Sequence, residues 1–313
     1  TYHSLTEAGA FGLFEAINTN GLSGNLTVNI IDASVTETGA VALNAINYAG
    51  CAAGPYNVLI KPNTTATLTG SSTTSLIKLN GADNVTIDGS NSGGTDRSLS
   101  LENTSTGTNT AVIWVSSLGT GAGAVNNTIK NCNIKAGSNT VISTFGIYAG
   151  GTSITTSATG DDNDTLTIQN NVISKAYYGI YAQATASGRN DNLVITQNNI
   201  GSNTAADYIT FRGLLVSQAD GAGISQNTVF NIENLTTNLR GMEFGAGFIN
   251  STVNRNLIYN INNSTSTFSA AKGMSFNPGA SLGSLNINNN VIYGLNGNGS
   301  STATYNSWGI MLE

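Results

Sequence analysis

Residues 168–173 read IQNNVI, an apolar-x-polar-polar-x-apolar hexapeptide that recurs five more times. It stands at 129–134 (IKNCNI), 195–200 (ITQNNI), 224–229 (ISQNTV), 253–258 (VNRNLI) and 287–292 (INNNVI). The fourth place of each forms a column: Cys132, Asn171, Asn198, Asn227, Asn256 and Asn290. A second marker, Gly followed by an aliphatic residue or Met, keeps step with the first at Gly146, Gly179, Gly213, Gly241, Gly273 and Gly309. Two separate markers recurring at about 30 residues identify a repeat architecture.

Within each repeat the period is that of a strand. Apolar residues alternate in Leu166-Thr167-Ile168, Val85-Thr86-Ile87 and Leu285-Asn286-Ile287. Gly and Asn clusters separate these runs, and both residue types accept the left-handed angles of tight corners. The predicted fold is therefore all-β, a parallel β-helix solenoid of nine or ten coils. In such a stack, coils lie about 4.8 Å apart, so amides at equivalent corners can bond along the axis. The Asn column is accordingly expected to be a structural ladder.

The N-terminal stretch 4–17, SLTEAGAFGLFEAI, differs. Ser-x-x-Glu is a capping box, and Ala8, Phe11, Phe14 and Ile17 fall near one helical face. It predicts an amphipathic helix closing the open end of the solenoid. The division expected is a cap over residues 1–24 and β-helix over 25–313. The final WGIMLE reads as a strand interrupted in mid-pattern, which predicts a piece of a larger multidomain chain continuing or truncated there.

Composition narrows the function classes. Charged residues make up 9% of the 313 residues and the net charge is −6. Nucleic acid is thereby not expected as a partner, since phosphate binding needs a basic surface. No apolar run of roughly 18 residues is present, so membrane insertion is not expected. Hydrophobic residues reach 39%, enough for a core despite the abundance of Gly and small polar residues. Cys51 and Cys132 are too few for a disulfide scaffold. Whether they pair is left open.

Over nearly the whole chain the coil pattern resembles the right-handed parallel β-helix of the pectate-lyase-like superfamily, which implies an all-β right-handed parallel β-helix solenoid with an N-terminal capping helix. The N-terminal block, with YNVLIKPN and LIKLNGADNVTIDGS following the cap, is similar to β-helix modules of large secreted Bacteroidota surface proteins of the type IX secretion class. The resemblance implies a secreted or cell-surface location and supplies no catalytic residues.

Enzymes on such folds cleave polysaccharides, with convergent carboxylates for hydrolysis or calcium and a basic residue for β-elimination. Three acidic residues, Asp161, Asp162 and Asp164, stand close enough in sequence to suggest calcium, although a solvated acidic turn explains them as well. No cofactor is otherwise required. Arg212, Arg240 and Lys272 each precede the Gly of the second marker, in a column with Phe145, Tyr178 and Trp308. Tyr148, Tyr181 and Glu243 occupy the column two residues after that Gly. Rings and cations on one exposed sheet would serve a glycan, through stacking and charge-assisted hydrogen bonds. The competing reading packs the rings into a core and leaves the cations to keep the sheet soluble. A catalytic group would combine Arg240 and Glu243 with Asp220, or Arg189 with Asp191. His3 is the only histidine and lies before the expected helix, which removes histidine-based chemistry.

The favoured function is a non-catalytic surface or adhesion module offering a rigid β-face to a polysaccharide or cell-surface glycan. A polysaccharide lyase or glycoside hydrolase acting on an acidic polymer is the alternative. Ice binding ranks third, since no regular Thr-x-Thr ladder recurs at coil spacing.

Overall fold

The computed structural model describes residues 1–48, 54–234, 238–263, 270–280, 283–297 and 306–313. It is a right-handed parallel β-solenoid of three sheets, each nine strands deep. The first sheet runs from Leu26–Ile30 to Leu285–Asn288, the second from Ser34–Thr36 to Val291–Asn296, and the third from Leu43–Asn44 to Trp308–Leu312. A small sheet of Asn190–Asp191, Ala219–Asp220 and Phe248–Ile249 follows the third sheet in three successive coils.

The hexapeptide is the corner between the first and second sheets. Its first aliphatic residue points inward from the first sheet and its last from the second, as with Ile168 and Ile173, both fully buried. The third place carries the bend: Asn131, Asn170, Gln197, Gln226, Arg255 and Asn289 have φ between 52 and 60°. Asn and Gln side chains dominate there because a polar side chain tolerates the left-handed region better than a branched one.

The fourth place is the expected ladder. Asn171 Nδ2 donates to Asn198 Oδ1 at 3.0 Å, Asn198 to Asn227 at 2.9 Å, Asn227 to Asn256 at 3.0 Å and Asn256 to Asn290 at 3.0 Å. Each Oδ1 also accepts the backbone N–H of the preceding corner, beginning with Cys132 to Asn171 at 3.0 Å. Buried amides are thus fully used, where an unpaired one would cost about 1–3 kcal/mol. Cys132 ends the column as a free buried thiol, and burial, with Asp88 nearby, pushes that thiol well above its ordinary range. Cys51 lies outside the described residues.

The Gly column belongs to the third sheet and is also an inner feature. A Cβ on Gly179 would stand 2.5 Å from the Gly213 carbonyl oxygen and 2.6 Å from Ile200 Cγ2. Gly146, Gly213, Gly241 and Gly273 are crowded in the same way by an aliphatic residue of the second sheet. Only hydrogen fits where the two sheets converge. The next residue, such as Ile147 or Ile180, also faces the core, so the residues on either side of this pair are turned outward.

The N-terminal helix forms later than expected, at Leu13–Asn20. Ser4 Oγ does accept the Glu7 N–H at 2.8 Å, but the turn goes no further. Gly9 sits at φ +87°, and a Cβ on Gly12 would overlap the Glu7 carbonyl. Phe14 and Ile17 are buried as the period requires, whereas Phe11 is exposed and stacks on His3 at 4.3 Å. The segment before the helix is held instead by buried Glu37, whose carboxylate accepts the Leu5 N–H at 2.9 Å and the Thr6 N–H at 2.8 Å.

Candidate functional site

The third sheet carries two outward columns, and the register places the expected residues in them. One holds Ala111, Phe145, Tyr178, Arg212, Arg240, Lys272 and Trp308 in succession. The other holds Lys78, Trp114, Tyr148, Tyr181, Leu215, Glu243, Ser275 and Met311.

The upstream half is a buried aromatic block: of the two readings the sequence left open, the rings follow the one that packs them into a core rather than the exposed face. Phe145 stacks on Tyr178 at 5.0 Å and Tyr148 on Tyr181 at 5.3 Å, while Phe145–Tyr148 and Tyr178–Tyr181 meet edge to face. All four rings are buried, together with Trp114. The cover is loop 151–160. Ile154 packs into the block, Trp114 Nε1 donates to the Gly151 carbonyl at 3.1 Å, and the Tyr148 hydroxyl donates to the Thr155 carbonyl at 2.8 Å. Phe145, Tyr148, Tyr178 and Tyr181 therefore do not offer open ring faces for stacking on a sugar. Burial raises the Tyr148 hydroxyl to about 12 and those of Tyr178 and Tyr181 further still.

The downstream half is an ion-pair ladder. Arg212 Nε bonds Glu243 Oε2, which also takes Arg240 Nη1 at 3.2 Å. Arg240 Nη2 reaches Glu313 at 3.2 Å, and Lys272 Nζ bonds Glu313 as well. Charge thus alternates Arg212, Glu243, Arg240, Glu313, Lys272. Arg212 and Lys272 are buried, and the Arg212 guanidinium lies 3.6 Å over the Phe211 ring. Burial, with the nearby Arg240 charge, lowers the Arg212 pKa, while Glu243 opposes the shift. Trp308 continues the column and is 37% exposed.

Where the halves meet, an open groove of about 550 Å³ runs past Thr156, Tyr178, Tyr181, Gln183, Thr185, Ser217, Gln218 and Glu243. The sequence expectation had missed Gln183, Ser217 and Gln218, which lie beyond the marker Gly and carry no period of their own.

Asp220 is not part of this group. It lies on the small sheet, in register with Asp191 and bonded by Asn250 Nδ2 at 2.9 Å. Asp164 precedes them, its Oδ1 accepting the Asp191 N–H at 2.8 Å. Burial raises both Asp164 and Asp191, and neighbouring carboxylates add to it; Arg189 opposes the shift at Asp191.

The three aspartates considered for calcium face different neighbours. Asp161 accepts the hydroxyls of Thr120 at 2.6 Å and Thr185 at 2.5 Å, Asp162 accepts the Gly121 N–H at 2.6 Å, and Asp164 is bonded as above. Among the described residues, no three His, Cys, Asp or Glu side chains come together as a metal site requires. Among the described residues, no helix is long and apolar enough to cross a membrane.

Two outer columns escaped the sequence reading. On the first sheet, Thr86, Thr128 and Thr167 are in register, but Leu59, Val194 and Gly223 interrupt the array. On the second, Phe230, Tyr259 and Tyr293 stack at 5.4 and 5.3 Å. Their signal was present: each directly follows the last aliphatic residue of a hexapeptide.

No protein-family model matches the chain, and no curated protein matches it. Among solved structures, the Azotobacter vinelandii mannuronan C-5 epimerase AlgE6 A-module is similar with a TM-score of 0.35 and 10% identity, over 96% of this chain and 93% of that one.

Proposed function

We propose that the chain is a non-catalytic module of an extracellular surface protein that contacts glycans through the outer face of its third sheet. The observation that carries this reading is the ion-pair ladder. The charged groups that would serve an acid, a base or an anion clamp are engaged with one another, Arg212 and Arg240 with Glu243, and Arg240 and Lys272 with Glu313. Hydrolysis of a glycoside needs two carboxyl groups facing across the bond. The groove offers one, Glu243, among hydroxyls and amides.

A rigid solenoid suits such a role, because its face is fixed by the stacking of coils and binding orders little. The test is an assay for new reducing ends and unsaturated products on acidic and neutral polysaccharides, with and without calcium. No product is expected. Product that disappears in Arg240→Ala or Glu243→Ala would replace this reading with a polysaccharide lyase or hydrolase.

A further inference from the structure

The groove between the two halves of the third sheet is electrostatically one-sided. Both arginine contacts to Glu243 fall on Oε2, and Oε1 has no partner among the described residues. The Tyr178 hydroxyl, which lines the same groove, makes no hydrogen bond among them either. Ser217 Oγ and Gln218 Oε1 are buried in the groove wall without partners. Buried groups of this kind are normally satisfied. Two of the four, Ser217 Oγ and Gln218 Oε1, are buried and unpaired, whereas Glu243 Oε1 and the Tyr178 hydroxyl keep solvent contact beside them; a serine hydroxyl turns toward the groove by a rotamer change alone.

Their chemistry selects the ligand. A carboxylate oxygen and an amide oxygen accept, while two hydroxyls donate or accept. No unpaired cation lines the groove. A ligand carboxylate would meet the Glu243 charge and find both guanidinium groups already held. A sugar hydroxyl can donate to Glu243 and accept from Tyr178 at once.

We propose that this groove binds a neutral oligosaccharide, its hydroxyls engaging Glu243, Tyr178, Ser217 and Gln218, and that it rejects uronic-acid polymers. The inference rests on the reading of the chain as a glycan-contact module and fixes the class of glycan. The volume is within the range of small-ligand sites.

The experiment is calorimetric titration with cellohexaose, laminarihexaose and mannohexaose as neutral probes and hexagalacturonate as the acidic one, at low and high salt. At least one neutral probe should bind with little salt dependence, and hexagalacturonate should not. Tyr178→Phe and Ser217→Ala should each weaken neutral binding about tenfold while leaving the far-ultraviolet spectrum unchanged. Glu243→Gln should lose neutral binding and admit hexagalacturonate, a reversal that loss of structure would not produce. Tighter binding of hexagalacturonate by the unaltered chain would overturn the proposal. So would neutral binding indifferent to Tyr178→Phe and Ser217→Ala, or binding of none of the probes. Cleavage of a bound neutral probe would instead refute the non-catalytic reading while upholding the groove's preference.

Discussion

The two halves of the third sheet's outer face share one backbone register but are stabilised in opposite ways. Upstream, four rings lie under loop 151–160 and exclude water. Downstream, three cations of one column are bridged by Glu243 of the other and by Glu313, just past the last strand. What decides between them is the connection after the strand. A long connection folds back and turns an outward column into a second core. Where no such cover forms, outward side chains must solvate or neutralise themselves. A solenoid column therefore fixes position but not environment.

The comparison breaks most sharply at Tyr148. Tyr148→Ala removes a ring buried between Trp114, Phe145 and Tyr181 and should cost about 3–5 kcal/mol, read from the denaturation midpoint. Glu243→Gln leaves buried Arg212 without its counter-charge. The expected loss is about 2–3 kcal/mol, at the low end for a buried pair because Glu243 keeps some solvent contact. Replacing Arg212 and Glu243 together by Met and Leu should recover most of it; if the double variant is no better than the single, the ladder is not the source. Gly213→Ala should cost about 1–3 kcal/mol by overpacking against Val229. Gly309→Ala, in the same column but with no atom within 4 Å of the added Cβ, should stay within about 0.5 kcal/mol.

pH sharpens the same contrast in direction. Burial works to raise Glu313, yet the bonds from Lys272 and Arg240 prevail and hold its carboxyl below the usual range. Its contribution is complete above the unfolded carboxylate pKa and is lost as pH falls through the lower folded value. Tyr148 is the reverse case: burial lifts its hydroxyl to about 12, opposed by the Thr155 N–H that donates to the phenol oxygen at 3.4 Å. That contribution is complete below the ordinary tyrosine range, about 10, and is lost as pH rises through about 12. Thermal melts of Glu313→Gln should lose the acid-side dependence, and those of Tyr148→Phe the alkaline one. An unchanged acid limb in Glu313→Gln would show that the ladder is solvated rather than structural.

The solenoid was legible because the corner hexapeptide recurs in six successive coils, five of them with Asn at the fourth place. The Gly column was equally visible, but its cause was not. The crowding at Gly179 comes from Ile200, and at Gly213 from Val229, residues of another sheet that no local pattern links to them. Phe145 and Tyr178 were legible as members of one column, but whether they face a glycan or a core was not, because loop 151–160 has no apolar period to mark it as a cover. The helix was misplaced for a local reason: the Ser4–Glu7 turn is real, and Gly9 and Gly12 stop it. The Phe230, Tyr259 and Tyr293 column is marked in the sequence only by its place directly after three hexapeptides.

The Asn ladder has a further consequence. Each corner amide accepts from the coil before it and reaches back to that coil's carbonyl, as Asn198 does to Ile168 at 2.9 Å. Every coil so built carries both a plug and a socket of identical chemistry. Duplication or loss of one repeat in the gene then leaves no mismatched joint, and the length of the rod can change in steps of about 4.8 Å without redesign of its corners.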